Sequence, residues 1–596
     1  MKITEILKFN TKYQLIILAI IAFCLNANTL FNEYAYDDYV VITENKIVEK
    51  GINGIPELLT TQYFAGVSIN DSALAGARYR PLSLIIFALE HQLFGENAII
   101  SHLINILLYT LLAILLYKFL TTIIFRDQHK YLAFVSCMIF IVHPIHTEIV
   151  ANVKGRDELL TFIFLLSCFL FFAKYLEKKY RGLLAMSLLT FFLALLTKES
   201  AVTSIAIVPL LAYFFLKKTL KESFFVCLPY IFTFFTYMFL RYCVVGAKQY
   251  EVADIGNTPY IFAATGQAFA TKIYILFKYI VLLCIPTPLS YDYSYNQIPY
   301  VNLISTPFII SLLLLTSLII YSFIYFKRKS IVSFSILYFF VTISIGTNLF
   351  IDLGTPLAER MLFQPSLAFC IALAVLLIRI FEKNMVLSGF LFFTIVLLFS
   401  VKTFARNSVW KNNETLFLTD VATSPNSIRT NQNALQVFIS KGISETDLQL
   451  KKQYFKKAVS FGEQSLKICP DNQLASLNLE SAYIALLDNY ESTSLFLKDF
   501  NLSSTNKENE KKLNYLSNLF YRKGNELFDQ NFSAGALKCF KLSVELNNSN
   551  LAAWYYLGGG YYFKGDTVNA NKTWNTLKKL DSTYIIDKNE FSVKTN

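Results

Sequence analysis

LAFVSCMIFIVHPIHTEIVANVKGRDELLTFIFLLSCFLFF, residues 132–172, consists of two apolar runs joined by a short polar stretch. The runs, 131–146 and 158–176, carry charge only near their ends. About 20 mostly apolar residues are the length of helix that crosses a hydrocarbon core. Lipid gives the backbone no hydrogen-bonding partner, so such runs must be helical. The joining stretch carries His143, His146, Glu148, Lys154, Arg156, Asp157 and Glu158. Ionisable groups at a membrane boundary are costly to desolvate and mark candidate functional sites.

Outward from this pair the pattern repeats. We read eleven spans, at 13–30, 98–120, 131–146, 158–176, 182–197, 200–216, 222–240, 304–326, 331–350, 360–381 and 385–402. Composition agrees: of 596 residues 54% are hydrophobic and only 16% charged, against about 25% charged in soluble domains. No small-residue cleavage site follows the first run, so it is expected to be a retained span rather than a signal peptide. Residues 262–285 are apolar too, but Lys272 and Lys278 interrupt them and both flanks fall on one side. They are expected to form an interfacial or re-entrant helix.

The net charge of +12 is mostly topological: residues from Lys411 onward hold 22 Lys+Arg and 19 Asp+Glu, leaving +9 to the membrane part. Lys/Arg clusters precede the first span and follow the second, fourth, sixth, eighth and tenth. The positive-inside rule then puts the N-terminus in the cytoplasm and, after eleven spans, the C-terminal part in the periplasm or endoplasmic reticulum lumen. No nucleic-acid partner is implied. Six of the nine cysteines lie in apolar runs and none forms CxxC, so they read as small core residues.

The outer side carries the chemistry. Its first loop holds Tyr36-Asp37-Asp38-Tyr39, Arg78-Tyr79-Arg80-Pro81 and an amphipathic stretch with Glu90 and His91. Later outer turns hold Lys198-Glu199, Tyr291-Asp292-Tyr293, and Asp352 with Glu359-Arg360. P-loop, GxSxG and strand-to-helix GxGxxG motifs are absent from the sequence, which argues against a nucleotide-driven pump and a Rossmann enzyme.

A 34-residue period appears after residue 439: Gly524 and Gly558, Ala536 and Ala570, and Phe540 and Trp574 are each 34 apart. That is the tetratricopeptide (TPR) period. Four repeats are expected, with 507–516 as an insertion and a degenerate repeat near Pro425. The domain reading is 1–405 membrane part, 406–438 junction, 439–585 repeats and 586–596 tail.

Together these stretches resemble the transmembrane and tetratricopeptide-repeat-containing (TMTC) family. The most specific are HPIHTEIVANVKGRDELL (143–160), LLTKES (195–200), PLSYDYSYNQIP (288–299), AERMLFQPS (358–366) and RNSVWKNNETLF (406–417). Gln364 stands where the family usually has Tyr or Leu, and the repeats are few. The resemblance implies an all-α chain, a polytopic GT-C domain of about eleven transmembrane helices followed by a TPR α-solenoid. It also implies a polyprenyl- or dolichyl-phosphate sugar donor in the outer leaflet and a catalytic carboxylate in the first outer loop, here Asp37 or Asp38. Asp37 is the expected base, with Asp38 positioning the acceptor or a cation.

Transfer from a lipid phosphate to a hydroxyl needs a base, cations for the departing phosphate, and a pocket orienting the acceptor. Arg80, Arg156, Lys198 and Arg360 are the candidate phosphate ligands; interfacial snorkelling is the plainer explanation of each. Arg156 and Arg360 are preferred because each lies in a family-like motif. His143, His146, Glu148, Asp157, Glu158 and Glu199 are read as supporting residues. His143, His146 and Glu148 offer metal-ligand chemistry, but HxxHxE is not a zinc-protease spacing and Pro144 interrupts the helix face, so no metal is assigned, a divalent ion stays an alternative, and no cofactor is required by the sequence. Tyr291, Asp292 and Tyr293 are expected to line an acceptor groove, with interfacial packing as the alternative for the tyrosines. The leading expectation is an inverting protein O-mannosyltransferase whose repeats bind the protein acceptor. The alternatives are transfer of another sugar or glycan, a non-catalytic membrane-anchored scaffold, and a transporter.

Overall fold

A computed structural model describes residues 11–67, 78–126, 130–246, 258–470, 472–487, 507–530 and 533–591. The chain divides into two compact units, Met1–Ala434 and Leu435–Asn596. The described residues are almost all helix and turn, with no strand and one isolated bridge, Asn45 to Val67.

In the first unit, seven described helices are long and apolar enough to cross a membrane. They are Thr11–Phe31, Ala98–Ile124, Val153–Lys178, Leu220–Val245, Thr265–Cys284, Thr306–Ile324 and Met385–Val409. An eighth candidate is a bent pair, Tyr131–Val142 with Pro144–Ala151, turning by 53°. The run read as one span over 131–146 therefore breaks at His143. Pro144 has no N–H to continue the ladder, and the His143 ring accepts the Ile145 N–H at 3.2 Å to cap the new turn. The expected spans at 182–197, 200–216 and 331–350 appear as the shorter apolar helices Arg181–Thr197, Glu199–Phe214 and Ile331–Ile343.

Residues 262–285, expected to lie at the interface, contain the unbroken helix Thr265–Cys284. Its two lysines are accommodated sideways. Lys272 pairs with Asp352 at 2.8 Å and lies over the Tyr260 ring; Lys278 lies over Tyr274. By length and composition this helix ranks with the spans.

The helix Ala98–Phe119 packs on Thr11–Asn26 and on Arg156–Lys178, and Ser366–Lys383 packs on Lys130–Val142. Their shared core holds Tyr109, Leu112, Leu116, Phe140, Phe162 and Phe363. The first long loop builds a smaller core of Val41, Ile42, Val48, Leu58, Tyr63 and Phe87, into which Val153 inserts. This seats the loop beside the turn at 153–155.

The second unit pairs Leu448–Ile468 with Gln473–Leu487, Lys507–Asp529 with Ser533–Leu546, and Leu551–Phe563 with Thr567–Leu580. The 34-residue period has a direct cause. A Cβ on Gly524 would sit 2.4 Å from the Phe540 ring, and one on Gly558 2.3 Å from Trp574. Each glycine admits the aromatic of the following helix. Residues 507–516, read as an insertion, are the first half of the long helix Lys507–Asp529.

Candidate active site

The aspartate doublet follows Tyr36, a bulky residue held at φ +54°. Left-handed backbone costs such a residue about 1–3 kcal/mol and persists only where surroundings impose it. Here the Tyr36 N–H donates to Asn413 Oδ1 at 2.7 Å, and its ring lies 4.9 Å from that of Tyr291. The turn sends the two carboxylates to different places.

Asp38 is completely buried. Its Oδ2 accepts the Ala35 N–H at 3.1 Å and its Oδ1 the Lys154 N–H at 2.7 Å. It fastens the doublet loop to the 153–155 turn. Burial pushes its pKa up to about 7, against the pull of those hydrogen bonds. The Asp37 side chain is about one-third exposed, and its Oδ2 lies 3.4 Å from Lys154 Nζ. Burial raises its pKa too, but Lys154 and Arg360 outweigh that and hold it below the ordinary value.

Asp37 opens on a polar pocket lined also by Glu148, Ile149, Asn152, Lys154, Gly155, Asp157, Glu158 and Arg360. Arg360 is aimed by Glu148, which accepts from its backbone N at 3.0 Å and its Nη1 at 2.5 Å. Asp157 gathers three cations: Arg80 at 3.1 Å, Lys198 at 3.9 Å and Lys154 at 4.0 Å. Lys198 also bonds Glu158, and Arg80 Nε donates to Glu199 at 2.7 Å. Glu148, Asp157, Glu158 and Glu199 are thus direct partners of the cations. Lys154 is a pocket cation that is not among the four candidate phosphate ligands of the sequence. It lies in the same polar stretch as Arg156, two residues away.

Three expectations are corrected. Arg156 does not face the pocket: it has no exposed surface. Its guanidinium donates to Asn105 Oδ1 at 2.8 Å and Ser101 O at 3.0 Å, pairs with Glu90, and lies over the Phe87 ring. His143 and His146 touch neither the doublet nor the cations. His143 is bonded to Leu283 O and Ile145 N, and His146 to Tyr109 and Ser366, so all four ring nitrogens are occupied. Among the described residues no group of three or more His, Cys, Asp or Glu is arranged to hold a metal.

Tyr291, Asp292 and Tyr293 form a buried brace rather than an open groove. The Tyr291 N–H donates to Asp420 at 2.7 Å. Asp292 accepts from Ser294 and Ser427 and pairs with Arg429. Tyr293 donates to Glu359 at 2.7 Å. Burial raises the Glu359 pKa to about 8 despite Arg406. The Tyr291 ring of this brace backs Tyr36 at the site.

No family model matches the chain. Curated proteins do. Protein O-mannosyl-transferase F38B6.6 of Caenorhabditis elegans is 26% identical over 423 residues, 70% of this chain and 58% of that protein. Protein O-mannosyl-transferase TMTC1 of Homo sapiens is 27% identical over 501 residues, covering 76% of this chain and 54% of its own. Human TMTC3 is 25% identical over 514 residues, covering 80% and 53%. The chain is thus similar to proteins named protein O-mannosyl-transferases and spans little more than half their length.

Proposed function

We propose that this chain is a membrane glycosyltransferase of GT-C type. It moves a sugar, mannose in the first instance, from a polyprenyl- or dolichyl-phosphate donor to Ser or Thr hydroxyls of protein outside the cytoplasm. One observation carries the reading: Asp37 is ionised, partly open and 3.4 Å from Lys154 in a pocket that Arg360 also lines. The relatives' names support it.

The acceptor hydroxyl gives its proton to the Asp37 carboxylate as its oxygen bonds to the anomeric carbon. The bond from that carbon to the phosphate oxygen breaks, and the electron pair leaves with the lipid phosphate. Lys154 and Arg360 offset the charge there, with Arg80 and Lys198 behind them around Asp157. Attack opposite the leaving phosphate inverts the anomeric configuration. The helix pairs after Leu435 act as TPR repeats that present the protein acceptor.

Two results are expected. Arg360→Gln removes a charge-assisted contact, so kcat/KM for the lipid-phosphate donor falls about 10- to 100-fold, with the helical circular dichroism spectrum unchanged. The pH profile separates the two aspartates. A base works only when deprotonated, and Asp37 keeps its charge below the usual 3.8 while Asp38 gains a proton near 7. With Asp37 as base, the transfer rate shows no acid limb as pH falls from about 8 to about 5. A limb centred near 7 would show that transfer needs Asp38 deprotonated, as base or as the acceptor that holds the doublet loop.

The function is tested by incubating purified chain with labelled polyprenyl-phosphate mannose and Ser/Thr peptides. Labelled peptide and free polyprenyl phosphate are expected. A membrane-anchored scaffold would yield neither.

A further inference from the structure

The charged pocket contains a second kind of group that the proposed mechanism does not use. Asn152 is buried to 4% exposure and lines the pocket beside Asp37, Lys154 and Asp157. Its backbone carbonyl is engaged by the Asn105 amide and the Gly155 N–H. Its side-chain Oδ1, however, is buried with no hydrogen-bond partner among the described residues. The Tyr63 hydroxyl is in the same condition at 1% exposure. Its ring lies under Arg80, which bonds Asp157, and the charges of Asp157, Arg80 and Asp37 all act on its phenol. Ser200 Oγ, next to the Glu199 that bonds Arg80, is a third buried atom without a partner.

An unmade buried hydrogen bond costs about 1–3 kcal/mol, and native structures carry few without a reason. Of these atoms Asn152 Oδ1 belongs to a residue that lines the pocket, where a ligand would satisfy it, and the Tyr63 ring lies under the Arg80 that bonds Asp157 of the same lining. Their type narrows the ligand. Phosphate would take the cations; a neutral amide and neutral hydroxyls pair best with groups that both donate and accept, as sugar hydroxyls do. An amide offers one acceptor and two donors, which matches neighbouring hydroxyls on one ring. A polar pocket with mismatched partners rejects an analogue lacking the hydroxyl far better than an apolar one does.

We propose that the Asn152 side-chain amide, with the Tyr63 hydroxyl near Arg80, binds hydroxyls of the transferred hexose and so selects the sugar. This rests on the transferase reading, because the sugar arrives on the lipid phosphate.

The test measures dissociation constants of the full chain in detergent for polyprenyl phosphate and for polyprenyl-phosphate mannose. The unaltered protein should bind the mannosyl lipid more tightly than the bare one. Asn152→Leu and Tyr63→Phe should each lose about 3- to 10-fold of that advantage, with affinity for bare polyprenyl phosphate unchanged. A set of mono-deoxymannosyl lipids on the unaltered protein gives the same information without substitution: at least one should bind about 3- to 10-fold more weakly. If the variants keep the full advantage and every deoxy lipid binds like the parent, the open atoms hold only water and the inference is overturned. If the unaltered protein binds bare polyprenyl phosphate but gains nothing from mannose, the sugar subsite fails and the phosphate site stands. If it binds neither lipid, the donor reading falls and the subsite with it.

Discussion

Asp37→Asn is expected to lower sugar transfer by about 100- to 10,000-fold, the span of a lost general base. Asparagine keeps the shape of the side chain and offers Lys154 a neutral amide oxygen in place of the carboxylate, but takes no proton from an acceptor at neutral pH. The loop should stay folded, because Asp37 is partly exposed and carries none of the backbone bonds that hold the turn. Donor affinity should change little or improve, since Lys154 is freed from a competing carboxylate. Asp38→Asn should behave differently. It disturbs a fully buried carboxyl group that ties Ala35 to Lys154, so thermal stability falls with activity. Parallel transfer and melting measurements separate the two patterns. A Asp37→Asn protein with the parent rate would remove Asp37 from the chemistry.

Arg156→Met is expected to destabilise the first unit by about 3–5 kcal/mol, the effect of leaving one member of a buried ion pair alone. Glu90 would lose the cation it pairs with, and the Ser101 carbonyl and Asn105 amide oxygen would lose donors. The partner change Glu90→Leu in the same chain should restore much of this, since an apolar pair of similar size replaces a buried ion pair at little cost. Denaturation in detergent of the single and double variants makes the comparison. If Arg156 instead held the donor phosphate, Arg156→Met would melt like the parent and lose donor affinity, and Glu90→Leu would rescue nothing.

The contrast between neighbours shows what sequence reading can reach here. Apolar runs and the polar turns between them made the helices legible, because a backbone in lipid has few alternatives. The cations and carboxylates at and around the pocket, Arg80, Glu148, Asp157, Glu158, Lys198, Glu199 and Arg360, are all visible as charges in the outer loops and turns. Which of two adjacent charges faces the pocket is not. Successive residues of a helix point about 100° apart, so Asp157 turns to the cations while Arg156 turns inward to Glu90. The doublet separates for a related reason: the left-handed Tyr36, a backbone state no residue type announces, sends Asp37 and Asp38 apart. His143 and His146 looked like functional groups, yet their polar atoms serve a broken helix and its neighbours. The Tyr291–Tyr293 segment looked like a groove because its partners, Asp420, Ser427 and Glu359, lie far away in sequence.

The most direct measurement of the central claim is mass spectrometry of a Ser/Thr peptide after incubation with purified chain and polyprenyl-phosphate mannose, with Asp37→Asn in parallel. One hexose added per modified hydroxyl by the unaltered chain, and background with the variant, is the predicted result. Unmodified peptide in both reactions, under conditions where the mannosyl lipid is bound, would contradict it.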